Sequence, residues 1–303
     1  MKYLSLILLL FVFVACNRKP KTEVDTVEQS RTTGSVTILA DESFARVLTD
    51  QIDVFKTDYP AAEFKVIEGN ENKILPTFLN DSIRVMISSR MLTPDEDKMY
   101  RNRSIVPKTS RFAIDGIALI TNLGSPDSTI TVQEVIDILK GKSTTGKKLV
   151  FDNAYSSTLR YFKELAEIKE LPKTGVYTLQ NNNDVIKYVA DNKGFIGVVG
   201  VNWLIANQKD MAESIAKVKM LGVKNLKGKK GDDAYYMPIQ QNLINGIYPF
   251  LRNIYIINAE GREGLGTGFA NWLVSQRAQL IVLKSGLGPH KMMPREFNLK
   301  NTN

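Results

Sequence analysis

Ser35-Val36-Thr37-Ile38-Leu39-Ala40-Asp41-Glu42-Ser43-Phe44 is the stretch on which the fold turns. Residues 35–39 read as a short buried strand and Asp41-Glu42-Ser43 as a helix start. Phe44, Val47, Leu48, Ile52 and Phe55 then recur at helical spacing. Pro60 ends that unit and residues 63–67 read as the next strand. The same alternation continues outward, with strands expected over 84–87, 114–121, 195–201 and 254–257 and short helices over 74–79 and 185–190. Thr93-Pro94-Asp95-Glu96 and Thr131-Val132-Gln133-Glu134 carry the Thr-to-Glu spacing of a capping box, and Gly141 stops the second helix. Ser156-Ser157-Thr158 precedes a helix with Leu159, Phe162 and Leu165 on one face, and a last long helix is expected over 267–283. Strand followed by helix, many times over, predicts an α/β fold with mainly parallel sheets. A folded part running from Gly34 to the C-terminus exceeds one comfortable core, so two lobes are expected.

The N-terminus points to export. Lys2 supplies a positive start, residues 4–15 are apolar except Ser5, and Cys16 is the sole cysteine. The run is too short to span a bilayer, and Asn17 ends it. Phe13-Val14-Ala15-Cys16 resembles the lipobox of a bacterial lipoprotein signal peptide. Cleavage before Cys16, with lipid on its thiol, is the reading that follows; an ordinary secretory signal and an uncleaved anchor are the alternatives. Residues 16–33 are rich in Lys, Thr, Glu, Arg and Asp and hold too little apolar surface to fold alone, so a flexible tether is expected there.

Composition narrows the function classes. Hydrophobic residues make up 43% and charged residues 24%, an ordinary globular mix. The formal charge of +8 becomes +7 once Lys2 is removed, and part of the excess sits in the loop 224–230. No basic stripe interleaved with aromatics appears, so nucleic acid is not an expected partner. With Cys16 lipidated no thiol remains for a disulfide or a Cys-based metal site. His290 is the only histidine, which removes most Ser-His-Asp arrangements and most zinc sites. Gly141-Lys142-Ser143 lacks the earlier glycine of a P-loop, since position 136 is Ile. Gly264-Leu265-Gly266-Thr267-Gly268 misses the dinucleotide spacing by one residue and reads as a tight turn feeding a helix. Neither an enzyme nor a cofactor is implied.

Small hydroxyl residues stand out by position. Ser43, Ser88-Ser89 and Ser156-Ser157-Thr158 each fall at a strand-to-helix junction. A helix start offers unpaired N–H groups and the positive end of the macrodipole, a setting that suits an oxyanion. Singly, each is an ordinary N-cap; three in one exported α/β chain point to an anion site.

Several stretches then carry a family resemblance. They are Ala40-Asp41-Glu42-Ser43-Phe44, Ile87-Ser88-Ser89-Arg90-Met91-Leu92-Thr93, residues 113–122, Ile138-Leu139-Lys140-Gly141-Lys142, Phe195-Ile196-Gly197-Val198-Val199-Gly200, residues 248–255, Phe269-Ala270-Asn271-Trp272-Leu273 and residues 284–289. In order and spacing the chain resembles the PstS-like periplasmic phosphate-binding proteins of the phosphate ABC importer, in a Bacteroidetes-type lipoprotein form. The resemblance implies a two-lobe, periplasmic-binding-protein-like (type II) fold with the ligand in the cleft between lobes. It implies one lobe from 34–115 plus 246–303 and another from 116–245. It also implies a monomer, hinge closure over phosphate or a related small oxyanion, and docking on membrane permease subunits. It maps binding loops onto Glu42, Ser43 and Phe44, onto 84–90 with Arg84, Ser88, Ser89 and Arg90, and onto Ser156, Ser157 and Thr158.

The chain departs from that family at charged positions. Arg84 stands where relatives carry a proton-accepting acid, Asp152 where they carry an arginine, and Ser157 where they carry a glycine. Either cation and anion have exchanged places, Arg84 serving the ligand and Asp152 the proton, or the pocket no longer reads phosphate. Arg90 and Arg160 are further candidates for the cation. The leading expectation is a lipid-anchored solute-binding protein, exported to the periplasm or cell surface. A degenerate cleft acting as a sensor or adhesion module is the second, and a phosphate-ester hydrolase the third.

Overall fold

The computed structural model describes residues 28–205, 209–261 and 263–291. Cys16 and the apolar run before it lie outside the described residues. From the N-terminal side the elements are β1 (Gly34–Asp41), α1 (Ala45–Asp58), β2 (Ala62–Gly69), α2 (Glu71–Leu79), β3 (Val85–Ser88), α3 (Pro94–Arg101) and the 15-residue β4 (Lys108–Asn122). Next come β5 (Thr129–Thr131), α4 (Val132–Leu139), β6 (Lys148–Phe151), α5 (Ser157–Leu165), β7 (Val176–Thr178), α6 (Asn182–Asp191), β8 (Phe195–Gly200) and α7 (Asn202–Ile205). The remainder is α8 (Ala212–Ala216), β9 (Val218–Met220), β10 (Gly222–Lys224), α9 (Gln240–Ile244), β11 (Leu251–Asn258), α10 (Leu265–Leu273), α11 (Gln276–Lys284) and β12 (Gly288–Pro289). A 3₁₀ turn, Glu42–Phe44, joins β1 to α1.

The main sheet runs β2-β1-β3-β11-β4-β8-β6-β7, with β12 and β9 also on β4. It is mixed, which corrects the expectation of mainly parallel pairing. β1 pairs parallel with β2 and β3, and β6 parallel with β7 and β8. β11 runs antiparallel to β3 and β4, and β4 antiparallel to β8. β4 changes partners midway: Lys108–Gly116 lies on β11, and Ile117–Thr121 on β8. Two parallel triplets are thus joined through the antiparallel pair β11 and β4, each with a central strand whose C-terminal end faces the same crevice.

Local signals explain most elements. Thr93 and Thr131 form the expected capping boxes with Glu96 and Glu134. The apolar stripe of α1 buries Val47, Leu48, Ile52 and Phe55, with Phe55 edge-on to Phe269 at 5.4 Å and to Trp272 at 5.5 Å. The other half packs Phe162 against Phe151 and Phe250. The long helix expected over 267–283 is two helices. Ser275 breaks it, because its hydroxyl accepts the Ala278 amide and caps α11 afresh.

Of the expected tether, residues 28–33 are among the described residues. Ser30 accepts the amides of Thr32 and Thr33, and the Arg31 carbonyl lies where a side chain on Gly268 would have to go. The Arg31 backbone therefore packs against α10, and Gly268 within that helix serves the close approach.

Candidate functional site: a sealed crevice around Arg252

The central strands β1 and β6 end alike. Asp41 closes β1 and Asp152 follows β6, and each precedes a serine-bearing helix start. Asp41 Oδ1 accepts the Ser43 amide at 3.0 Å. Ser156 caps α5 by accepting the Leu159 amide at 3.1 Å, and Asp152 accepts the Asn153 amide and Asn182 Nδ2. The two junctions face one another closely enough for Ser43 Oγ and Ser157 Oγ to stand 3.5 Å apart.

Between them reaches Arg252 from β11. Alternation along β11 puts Arg252 on the same buried face as Ile254 and Ile256. Its Nε donates to Asp115 Oδ2 at 2.8 Å, and its Nη1 donates to Ser157 Oγ at 3.0 Å and Thr158 Oγ1 at 3.1 Å. The guanidinium lies 4.7 Å from the centre of the Phe44 ring. Arg252 is 5% exposed and Asp115 0%, yet Arg252 Nη2 has no hydrogen-bond partner among the described residues. Asp41 Oδ2 and Asn202 Oδ1 are likewise buried without partners. Because Ser157 and Thr158 accept from Arg252, each keeps its own O–H proton for another acceptor.

The far wall ties down the Ser43 backbone. Asn202 Nδ2 and Trp203 Nε1 both donate to its carbonyl, at 3.3 and 3.2 Å. Glu42 accepts from Asn153 Nδ2 across the same gap. Burial raises the Asp115 carboxyl above the usual range, against the lowering effect of Arg252. Burial raises Asp152 too, opposed by the Ser156 hydroxyl, and it raises Glu42, opposed by Asn153. Among the described residues no group of His, Cys, Asp and Glu is placed to hold a metal ion.

The expected site residues divide into three groups. Ser43, Phe44, Ser157 and Thr158 surround Arg252, with Glu42, Asp152 and Ser156 beside them. Ser89 and Arg90 form a second cluster. Arg90 Nε donates to Glu71 at 2.7 Å and its other nitrogens grip Glu96, which holds its pKa above the ordinary value. Arg160 of α5 joins this cluster through Glu71 and Ser89, both at 2.9 Å, and also pairs Glu164. Neither arginine is thus left as a free counter-ion. Ser88 Oγ accepts the Arg90 amide at 3.2 Å. Arg84 is a correction. It precedes β3, about 13 Å of strand away from the serine end, and it pairs with Asp81 at 2.8 Å.

Arg252, Asp115, Asp41 and Asn202 were not expected as site residues. The signal for Arg252 was an arginine inside an apolar strand on the inward register, and for Asp115 an acid inside the run 112–120. A cavity of about 650 Å³ opens beside the crevice, lined by Glu71, Tyr155, Ser156, Arg160 and Lys163 among others.

Known proteins match this chain along most of its length. Phosphate-binding protein PstS of Pseudomonas aeruginosa is 21% identical over 286 residues, covering 86% of this chain and 84% of that protein. Protein SphX of Synechococcus elongatus is 27% identical over 221 residues, 67% of this chain and 62% of that one. A solved structure assigned to a phosphate ABC transporter substrate-binding protein from Clostridium perfringens, with phosphate bound, shares the fold. Its TM-score is 0.69 at 21% identity, with 85% of this chain and 100% of that chain covered. An ABC-type phosphate transport receptor from Vibrio cholerae gives a TM-score of 0.63 at 18% identity, covering 84% and 100%. The family model described as a PBP superfamily domain matches residues 25–277, and the chain belongs to the PBP superfamily.

Proposed function

We propose that this protein captures phosphate, or a closely related small oxyanion, and delivers it to an ABC importer. The observation that carries the reading is the Arg252 site. A buried guanidinium keeps Nη2 unpaired beside the hydroxyls of Ser157, Thr158 and Ser43. A buried N–H group without an acceptor is costly, and a tetrahedral anion would supply that acceptor. The names of the relatives, phosphate-binding proteins among them, agree with that ligand class.

In this reading residues 34–115 with 246–303 form one lobe and residues 116–245 the other. Ligand release requires parting the Ser43–Ser157, Glu42–Asn153 and Glu71–Arg160 contacts that bridge them. The closed pair of lobes would present its outer face to permease subunits. The apolar N-terminal run ending at Cys16 supports export with a lipid anchor. No helix among the described residues is long and apolar enough to cross a membrane. Titration calorimetry of the purified protein with phosphate tests the proposal: a saturable heat is expected. No heat and no thermal shift at millimolar phosphate would defeat it.

A further inference from the structure

The cavity beside the crevice has no part in holding a bare oxyanion. Its volume, about 650 Å³, is that of a small-molecule pocket. One step of chain separates it from the anion site. Ser156 lines the cavity, while Ser157 and Thr158, the next two residues, take the hydrogen bonds of Arg252. Its walls come from two sides: Glu71 and Asn72 begin α2, and Tyr155, Arg160 and Ile168 belong to α5 and the segments flanking it. In the two-lobe reading these are different lobes, so closure over the crevice also grips whatever occupies the cavity.

The chemistry of the walls selects the occupant. Arg160, Lys163 and Lys169 are balanced in the lining by Glu71, Glu164 and Glu167, so no net charge draws a second ionic group. Arg160 is itself held by Glu71 and Glu164. Tyr155 is 63% exposed, a large ring left in water at the edge of the cavity, and Ile168 adds apolar surface to the same lining. The ammonium groups of Lys163 and Lys169 enter no hydrogen bond or ion pair among the described residues, and they remain donors for hydroxyl oxygens. An aromatic face with scattered donors and no net charge suits a small carbon skeleton bearing hydroxyls.

We propose that the ligand is a phosphate monoester of a small sugar or polyol, with its phosphoryl group at Arg252 and its carbon skeleton in this cavity beside Tyr155. This ligand class rests on the proposed phosphate site and narrows it. The ester oxygen faces Ser156, and the skeleton displaces water from the cavity when the lobes close. No bond is made or broken. Inorganic phosphate fills the crevice alone and leaves the cavity to water, so it binds the same site more weakly.

Calorimetry of the full protein, dialysed free of phosphate, with glucose 6-phosphate, glycerol 3-phosphate and inorganic phosphate tests the assignment. Glucose 6-phosphate should bind roughly tenfold more tightly than inorganic phosphate, with glycerol 3-phosphate between them. Tyr155→Ala removes an exposed ring and leaves every contact of Arg252 in place. Melting temperature and phosphate affinity should therefore persist in the variant, while the preference for the ester falls to near unity. Phosphate binding with equal or weaker binding of both esters would overturn this ligand class and leave the proposed function standing. An ester preference that survives Tyr155→Ala would overturn the role of the cavity. No heat from any of the three ligands would overturn the proposed function and this inference with it.

Discussion

Arg252 concentrates the chemistry of the site, and its replacement is the sharpest single test. Arg252→Met removes the unpaired donor and strands Asp115 as a buried carboxylate, at a cost of about 3–5 kcal/mol for breaking such a pair. Phosphate heat should vanish in calorimetry, and the urea midpoint should drop. Arg252→Lys should recover part of the stability but little binding, since an ammonium cannot span Asp115, Ser157 and Thr158 at once. The carboxyls also set a pH dependence in the empty protein. Asp115, Asp152 and Glu42 are all raised by burial, so their stabilising contribution is present at acid pH and is lost as pH rises through the folded values. The melting temperature of the ligand-free protein should therefore fall as pH rises above the ordinary carboxylate range, and Asp152→Asn should shrink that fall. Serines at strand-to-helix junctions were legible in the sequence because the junction itself is written in local pattern. The cation was not, because Arg252 reaches Ser157 across 95 residues and only the fold brings them together. Arg84 misled for the converse reason: it sits beside the right strand in sequence but at its wrong end.

Helix starts carry the next level of consequence. Ser156 caps α5 at the point where its next two residues meet Arg252, so Ser156→Ala should cost about 1 kcal/mol of stability and loosen the anion site as well. Chemical denaturation would measure the first and calorimetry the second. Gly268 offers a test without any ligand. A methyl group there would collide with the Arg31 carbonyl, so Gly268→Ala should free residues 28–33 and raise their hydrogen-exchange rate, leaving the crevice intact. Capping boxes at Thr93 and Thr131 were readable because three residues suffice to specify them. The break at Ser275 was not, since Val274 and Ser275 interrupt an apolar stripe that continues unbroken on either side.

The parallel triplets were foreseeable from the strand–helix alternation; the antiparallel seam between them was not. Direction of pairing depends on which strands meet, and nothing local in β4 or β11 records it. At this scale the Glu71–Arg160 pair is the contact to break. Arg160→Gln removes an ion pair and the Ser89 bond that tie α5 to α2 and β3 without touching Arg252. Phosphate should leave the variant roughly tenfold faster by stopped flow, for about 1.4 kcal/mol of lost closure, and small-angle scattering of the loaded protein should show a larger radius. An unchanged release rate would mean that the pair is decorative. The long strand β4 has a consequence of a different kind. It lends one half of its length to each flank of the molecule, so neither flank owns a complete sheet. Chimeras that import residues 116–245 from a relative must splice through the middle of that strand, and modular exchange of a single flank is thereby restricted.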